Sequence, residues 1–215
     1  MDFTEEEAKF PLAFSIMMYK DANQVEELLR AIYRPHNYYC IHVDAKADLG
    51  VHHAIQNITR CLKNVQMASR SIKVVWGKFS VLESELICMR DLLSYSDWKY
   101  FINLTGQEYP LKTNSQIVKI LKLFHGANSV DVAEDSHARW RRKGRPPHGI
   151  KPRKGNIHVV LNRQFVNYTI INQVSKDFIK WLNNTIVPDE TLFASLNHNP
   201  QLGIPGSYIG MYMPL

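Results

Sequence analysis

The chain has 215 residues, 45% of them hydrophobic and 21% charged, a composition that supports a folded domain with a sizeable core and excludes a disordered chain. No run of 18 apolar residues occurs, so no membrane span is expected within it, and residues 1–9 are acidic without the apolar stretch of a signal peptide. The net charge of +6 is local: eight basic residues and no acid lie between Arg139 and Lys154, which argues against a nucleic-acid-binding surface spread over the protein.

In chain order, residues 11–19, PLAFSIMMY, read as a buried strand. Asp21 can cap a helix whose apolar face is Val25, Leu28, Leu29 and Ile32, and Pro35 ends it. Residues 38–43 form a second buried strand that terminates in Asp44. Val51, Ile55, Ile58 and Leu62 mark a second helix. Short strands are predicted at 65–68 and 73–76, then a turn at 77–80 and a helix lined by Leu82, Leu86, Met89 and Leu93. Residues 100–104 are again a strand, broken by Gly106. Thr113 followed by Gln116 is a capping box for a helix running to about Phe124, with Gly126 placed to end it. Strand and helix alternate with short connections, the signature of a largely parallel, doubly wound sheet.

Periodicity is lost from 127 to 155, a long basic segment of the kind that carries function or moves. A strand at 157–161 leads into one long helix from near Asn162, lined by Phe165, Thr169, Phe178, Trp181 and Leu182. Pro188, Asp189 and Glu190 open a short helix through Leu196. After Gly203 the chain is punctuated by Pro205, Gly206 and Gly210 and stops without a closing element.

No glycine-rich phosphate cradle, H-E-x-x-H, C-x-x-C or G-x-S-x-G is present, nor a D-x-D after a strand. Glu83 and Glu85 are expected to face solvent, and His42 and His158 to sit within strands. Asp44, just past a parallel strand, is placed either to accept hydrogen bonds from a nucleoside or to act as a turn or cap residue. Asp189 can cap its helix. Glu190 is fixed in the first turn, where it is either a general base or a plain helix-terminal charge. The three cysteines, Cys40, Cys61 and Cys88, lack metal-ligand spacing, and their odd number leaves at least one without a partner in the chain. Four N-x-S/T sequons, at Asn57, Asn103, Asn167 and Asn183, lean toward a secretory compartment.

Several of these stretches carry a resemblance. They are residues 10–44, with Q-V-E-E-L-L-R-A-I-Y and Y-C-I-H-V-D; residues 86–93; residues 103–114, N-L-T-G-Q-E-Y-P-L-K-T-N; residues 155–168; and Pro188-Asp189-Glu190. From about Phe10 to Gly206 the chain resembles the core-2/I-branching β-1,6-N-acetylglucosaminyltransferases, a family that also takes in the peptide O-xylosyltransferases. The resemblance implies an α/β, GT-A-like catalytic domain over 10–206, with a Rossmann-like, largely parallel sheet flanked by helices. An acidic tail at 1–9, a basic acceptor-side loop at 127–155 and a truncated C-terminal end at 207–215 complete that reading. It also implies a type II Golgi membrane protein, lumenal, anchored through a segment outside this chain.

The implied reaction is inverting, metal-independent transfer of N-acetylglucosamine from UDP-GlcNAc to the 6-hydroxyl of galactose or N-acetylgalactosamine, with no cofactor. Glu190 matches the family's general base, Met18, Tyr19 and Asp44 its uridine-binding region, and Arg139 with Trp140 part of the acceptor loop. Cys40 and Cys88 match a disulfide pair, while Cys61 matches a cysteine whose partner lies upstream of residue 1. The chain departs from the family at Thr105, where a cysteine is usual, at Ser136, where a lysine is, and at Tyr109, where phenylalanine is commoner. Family members continue well beyond Pro-Asp-Glu, into a part whose basic residues compensate the leaving diphosphate, so a truncated and weakly active form is expected. The alternatives are a peptide O-xylosyltransferase-like enzyme and an inactive nucleotide- or glycan-binding module. Nucleic-acid binding lacks the interleaved aromatic residues it would need.

Overall fold

A computed structural model describes residues 3–133, 139–140, 144–183 and 185–209. The elements are α1 (Glu5–Ala8), β1 (Leu12–Met18), α2 (Ala22–Ile32), β2 (Tyr38–Val43), α3 (Leu49–Cys61), β3 (Val65–Met67), α4 (Phe79–Leu92), β4 (Tyr100–Thr105) and α5 (Asn114–Leu123). They continue with β5 (Ser129–Val130), a 3-10 turn (Pro147–Gly149), β6 (Val159–Asn162), α6 (Arg163–Ile171), α7 (Gln173–Leu182), α8 (Asp189–Asn197) and a second 3-10 turn (Pro200–Leu202). The class is α/β, as the alternation predicted. Residues cluster into two compact units, Met1–Val74 with Glu83–His125 and Val75–Leu82 with Gly126–Leu215.

In the first unit the strands run β3-β2-β1-β4, all parallel, with Met18 opposite Val43 and Ser15 opposite Asn103. Their side chains are almost wholly apolar because such a sheet is covered on both faces. α2 buries the four residues its periodicity picked out, Val25, Leu28, Leu29 and Ile32, and Asp21 caps it by accepting from Gln24 N at 3.1 Å. α5 starts with the expected capping box, Thr113 and Gln116 each serving the other's backbone. Gly106 leaves β4 by passing close to α2 and β1: a Cβ there would lie 2.7 Å from Val25 Cγ2 and 3.1 Å from Met18 Cβ.

Three expectations in this unit are corrected. The acidic stretch 1–9 contains an anchored helix, α1. Glu7 is buried and accepts from Thr4 N, Thr4 Oγ1 and Asn114 Nδ2, with Arg34 Nε at 3.4 Å. Glu85 is buried rather than solvated, because α4 carries apolar residues around most of its circumference (Leu82, Leu86, Ile87, Met89, Leu92). Residues 73–76 form no strand, despite a β-prone Val-Val-Trp: the amide of Val74 is given to Asp44 and that of Val75 to Ser80 Oγ, so neither serves a ladder.

In the second unit β5 and β6 pair antiparallel, Val130 opposite Val159, and a bridge joins Ala133 to Lys154. His158 precedes β6 and is exposed, not within a strand. The single long helix expected from Asn162 is two. Asn172 adopts extended backbone between them and its side chain accepts from Val174 N at 2.9 Å, because an asparagine competes for the backbone better as a cap than inside a helix. α8 is buried along nearly its whole length. Its cap position is taken by Pro188 with no side-chain cap bond, so Asp189 is a buried first-turn residue and not the cap.

Candidate active site

The first set of candidate residues lies at the carboxyl end of β1 and β2 in the first unit. Asp44 N donates to Met18 O at 2.8 Å, which brings the two strand ends together. Asp44 is buried, and its carboxylate accepts from Lys46 N (2.8 Å) and Val74 N (3.3 Å), with Lys46 Nζ 3.6 Å away. It therefore fastens residues 72–74 across the strand end, helped by Ile72 N donating to His42 Nε2. Met18 is buried; Tyr19 is exposed, with Lys20 Nζ over its ring at 5.2 Å. The result is a carboxyl edge with one oriented carboxylate and one open aromatic face, the position at which open α/β sheets take ligands.

Glu190 is in the second unit, in the first turn of α8, and its side chain is 24% exposed. Arg139 Nη2 lies 2.7 Å from its Oε2, and Lys154 Nζ lies 4.0 Å from the same oxygen. The Arg139 contact is ionic without hydrogen-bond alignment, and Arg139 Nη1 is itself buried with no hydrogen-bond partner. Trp140 follows and is half-buried. The arrangement is built from the backbone outward. Gly155 N donates to Glu190 O at 2.7 Å, and a Cβ on Gly155 would overlap Asp131 O and come within 2.7 Å of Ala194 Cβ. Only glycine allows the Lys154 segment to lie this close to α8. Ser195 Oγ accepts from Arg153 N, and Asn199 both donates to Lys151 O and accepts from Lys151 N, stitching the basic segment along the helix.

Asp189, beside Glu190, is 3% exposed, and its Oδ1 has no hydrogen-bond partner. Burial pushes its carboxyl up to about 6; the neighbouring Glu190 charge adds to the rise, and its own backbone amide and Arg139 oppose it. Val187, two residues earlier, is β-branched and yet held at φ 51, a strained conformation fixed by its N–H donating to Gly77 O. That bond also sets exposed Val75 and Trp76 (87%) next to the turn that precedes α8. Sequence reasoning missed Trp76 because it fell inside the supposed strand 73–76. It passed over Lys154 as one charge in a run, though the Lys-Gly pair before a strand could have drawn notice.

The Cys40 and Cys88 Sγ atoms lie 2.7 Å apart within the core as free thiols, and burial, first, and Cys40, second, push the Cys88 thiol up. Cys61 is exposed on α3. Among the described residues no group of three or more His, Cys, Asp or Glu side chains is placed to hold a metal ion, and no helix is long and apolar enough to cross a membrane.

The first unit thus presents Asp44 at the carboxyl edge of its sheet, and the second presents Glu190 at a helix start to Arg139 and Lys154. The core-2/I-branching enzyme family matches residues 12–212, and the chain belongs to that family. It is 37% identical over 228 residues to the zebrafish (Danio rerio) β-1,3-galactosyl-O-glycosyl-glycoprotein β-1,6-N-acetylglucosaminyltransferase 4, covering 94% of this chain and 53% of that protein. It is 38% identical to the human N-acetyllactosaminide β-1,6-N-acetylglucosaminyl-transferase, covering 95% and 56%, and 35% identical to human β-1,3-galactosyl-O-glycosyl-glycoprotein β-1,6-N-acetylglucosaminyltransferase 3, covering 90% and 48%. The chain thus spans about half the length of these relatives. Among solved structures, apo mouse xyloside xylosyltransferase 1 superposes with a TM-score of 0.42 at 10% identity, covering 86% of this chain and 81% of that one.

Proposed function

We propose that this chain forms the donor-binding and base-bearing part of an inverting β-1,6-N-acetylglucosaminyltransferase with a GT-A-like arrangement. Its donor is UDP-GlcNAc, and its acceptor is the 6-hydroxyl of a galactose or N-acetylgalactosamine in an O-glycan or branched glycan. The observation that carries this reading is the position of Glu190: a partly buried carboxylate fixed in a helix first turn, with Arg139 on Oε2 at 2.7 Å. The Arg139 and Lys154 charges stand against Oε2 and favour the ionised carboxylate that a base must be.

In the step proposed, the acceptor hydroxyl gives its proton to Glu190 as its oxygen bonds to the anomeric carbon. The bond from that carbon to the β-phosphate oxygen breaks on the opposite side, UDP departs, and the α-linked donor becomes a β-linked product. Met18, Tyr19 and Asp44 bind the uridine, Arg139 and Trp140 contact the acceptor, and no metal takes part. The fully buried Cys40 and Cys88 thiols, already in contact, form a disulfide in an oxidising compartment. The compartment we assign is the lumenal side of the Golgi, with the enzyme a type II membrane protein. The names of the relatives, the missing D-x-D and the sequons support this reading.

The test offers the protein UDP-GlcNAc or UDP-xylose with galactose- and N-acetylgalactosamine-terminated acceptors, with and without a chelator. The expected product is a β-1,6-linked N-acetylglucosamine formed equally in both conditions. Transfer of xylose would reassign the donor, and donor binding with no transfer would leave a binding module.

A further inference from the structure

The four sequons are chemically equivalent in sequence, and the fold separates them. Asn57 is exposed on α3, and its sequon hydroxyl, Thr59 Oγ1, is near the surface, donating only to Gln56 O at 3.0 Å. It lines an open groove of about 470 Å³ between α2 and α3, with Tyr33, Ile58 and Leu62 among its neighbours, so a sugar on Nδ2 has room and an apolar surface to lie on. Asn103 is the opposite case. It sits in the middle of β4, opposite Ser15 of β1, and is 3% exposed. A glycan there would have to pass through the sheet or its covering helices, where packing leaves no such space.

Asn167 and Asn183 are intermediate. Both are exposed, on α6 and at the end of α7, but the threonines of their sequons are not. Thr169 is fully buried, donating to Phe165 O at 2.9 Å, and Thr185 is buried with no partner for its hydroxyl. A transferase that must engage the sequon hydroxyl can reach these two only before the chain folds.

We infer that Asn57 carries an N-linked glycan in the folded protein and that Asn103 carries none. The modification transfers an oligosaccharide from a polyprenyl pyrophosphate donor. The bond from the first sugar's anomeric carbon to the pyrophosphate breaks, that carbon bonds to Asn57 Nδ2, Nδ2 loses a proton, and the lipid pyrophosphate leaves. Asn167 and Asn183 are modified in competition with folding and so at lower occupancy. The assignment shares with the proposed function only passage through a secretory compartment, and does not involve Glu190.

The experiment imports the full chain behind a cleavable leader into microsomes, which fixes the compartment independently of the transferase reading. The soluble, protease-resistant fraction is then treated with an N-glycosidase in heavy-oxygen water and mapped by mass spectrometry. The expected result is an isotopic label at Asn57, no label at Asn103, and loss of one glycan's mobility shift in both Asn57→Gln and Thr59→Ala, while Thr59→Ser keeps it. An unlabelled Asn57 in imported, folded chain, or a label at Asn103 in that fraction, would overturn the assignment.

Discussion

Glu7 and Asp189 are each 3% exposed, and the molecule treats them in opposite ways. Burial alone would push the Glu7 carboxyl up, but the Thr4 amide, Asn114, the Thr4 hydroxyl and Arg34 outweigh it and hold the group below its usual range. Asn114 in turn accepts from Asn37, whose side chain receives Leu12 N, so the network ties α1 to the start of β1 and to α5. Asp189 has no such set of donors and is pushed up to about 6. A carboxylate supplied with donors holds elements together. One left without them costs stability, and Asp189 stands in that condition beside Glu190 and two residues after the strained Val187.

The largest effect on stability is expected at Glu7. Glu7→Ala removes the acceptor of a buried network and should cost about 3 kcal/mol in chemical denaturation. Because the folded-state pKa is lowered, the contribution of Glu7 is present above its unfolded pKa and is lost as pH falls through the lower folded value. A pH-independent loss on substitution would break the comparison. Gly155→Ala should cost about 2 kcal/mol by driving a methyl group against Asp131 O and Ala194, and should move the start of α8 as well, so thermal stability and transfer activity fall together. A fully active, fully stable alanine variant would mean that this close approach does not position Glu190.

Asp189→Asn should act in the other direction and least. With the folded pKa raised, ionised Asp189 destabilises the fold above about pH 6, and the penalty vanishes below the unfolded pKa. The asparagine variant should therefore gain about 1–2 kcal/mol at pH 7 and almost nothing near pH 4. Equal changes at both pH values would show that packing, not charge, governs the site.

Most of the sheet was legible in sequence because buried parallel strands read as continuous apolar runs: residues 38–43 were delimited without error. The capping signals at Asp21 and Thr113 were equally plain, since each is satisfied within three residues. What failed had a non-local cause. Val74 and Val75 have strand-forming neighbours, yet their amides go to Asp44 and Ser80 side chains. Asn172 was a cap signal lying unused inside an apolar periodicity. Glu190 could be singled out from its Pro-Asp-Glu context, but the ion pair with Arg139 and the burial of Asp189 depend on folding that no local pattern encodes.

The central claim is that Glu190 removes the acceptor proton. It is tested most directly by comparing the protein with its Glu190→Gln variant for UDP-GlcNAc affinity, by calorimetry, and for kcat, by transfer to a galactose-terminated acceptor. General-base loss predicts a fall in kcat of about 100- to 10,000-fold with donor affinity retained. A variant that transfers N-acetylglucosamine at the parent rate would contradict the account.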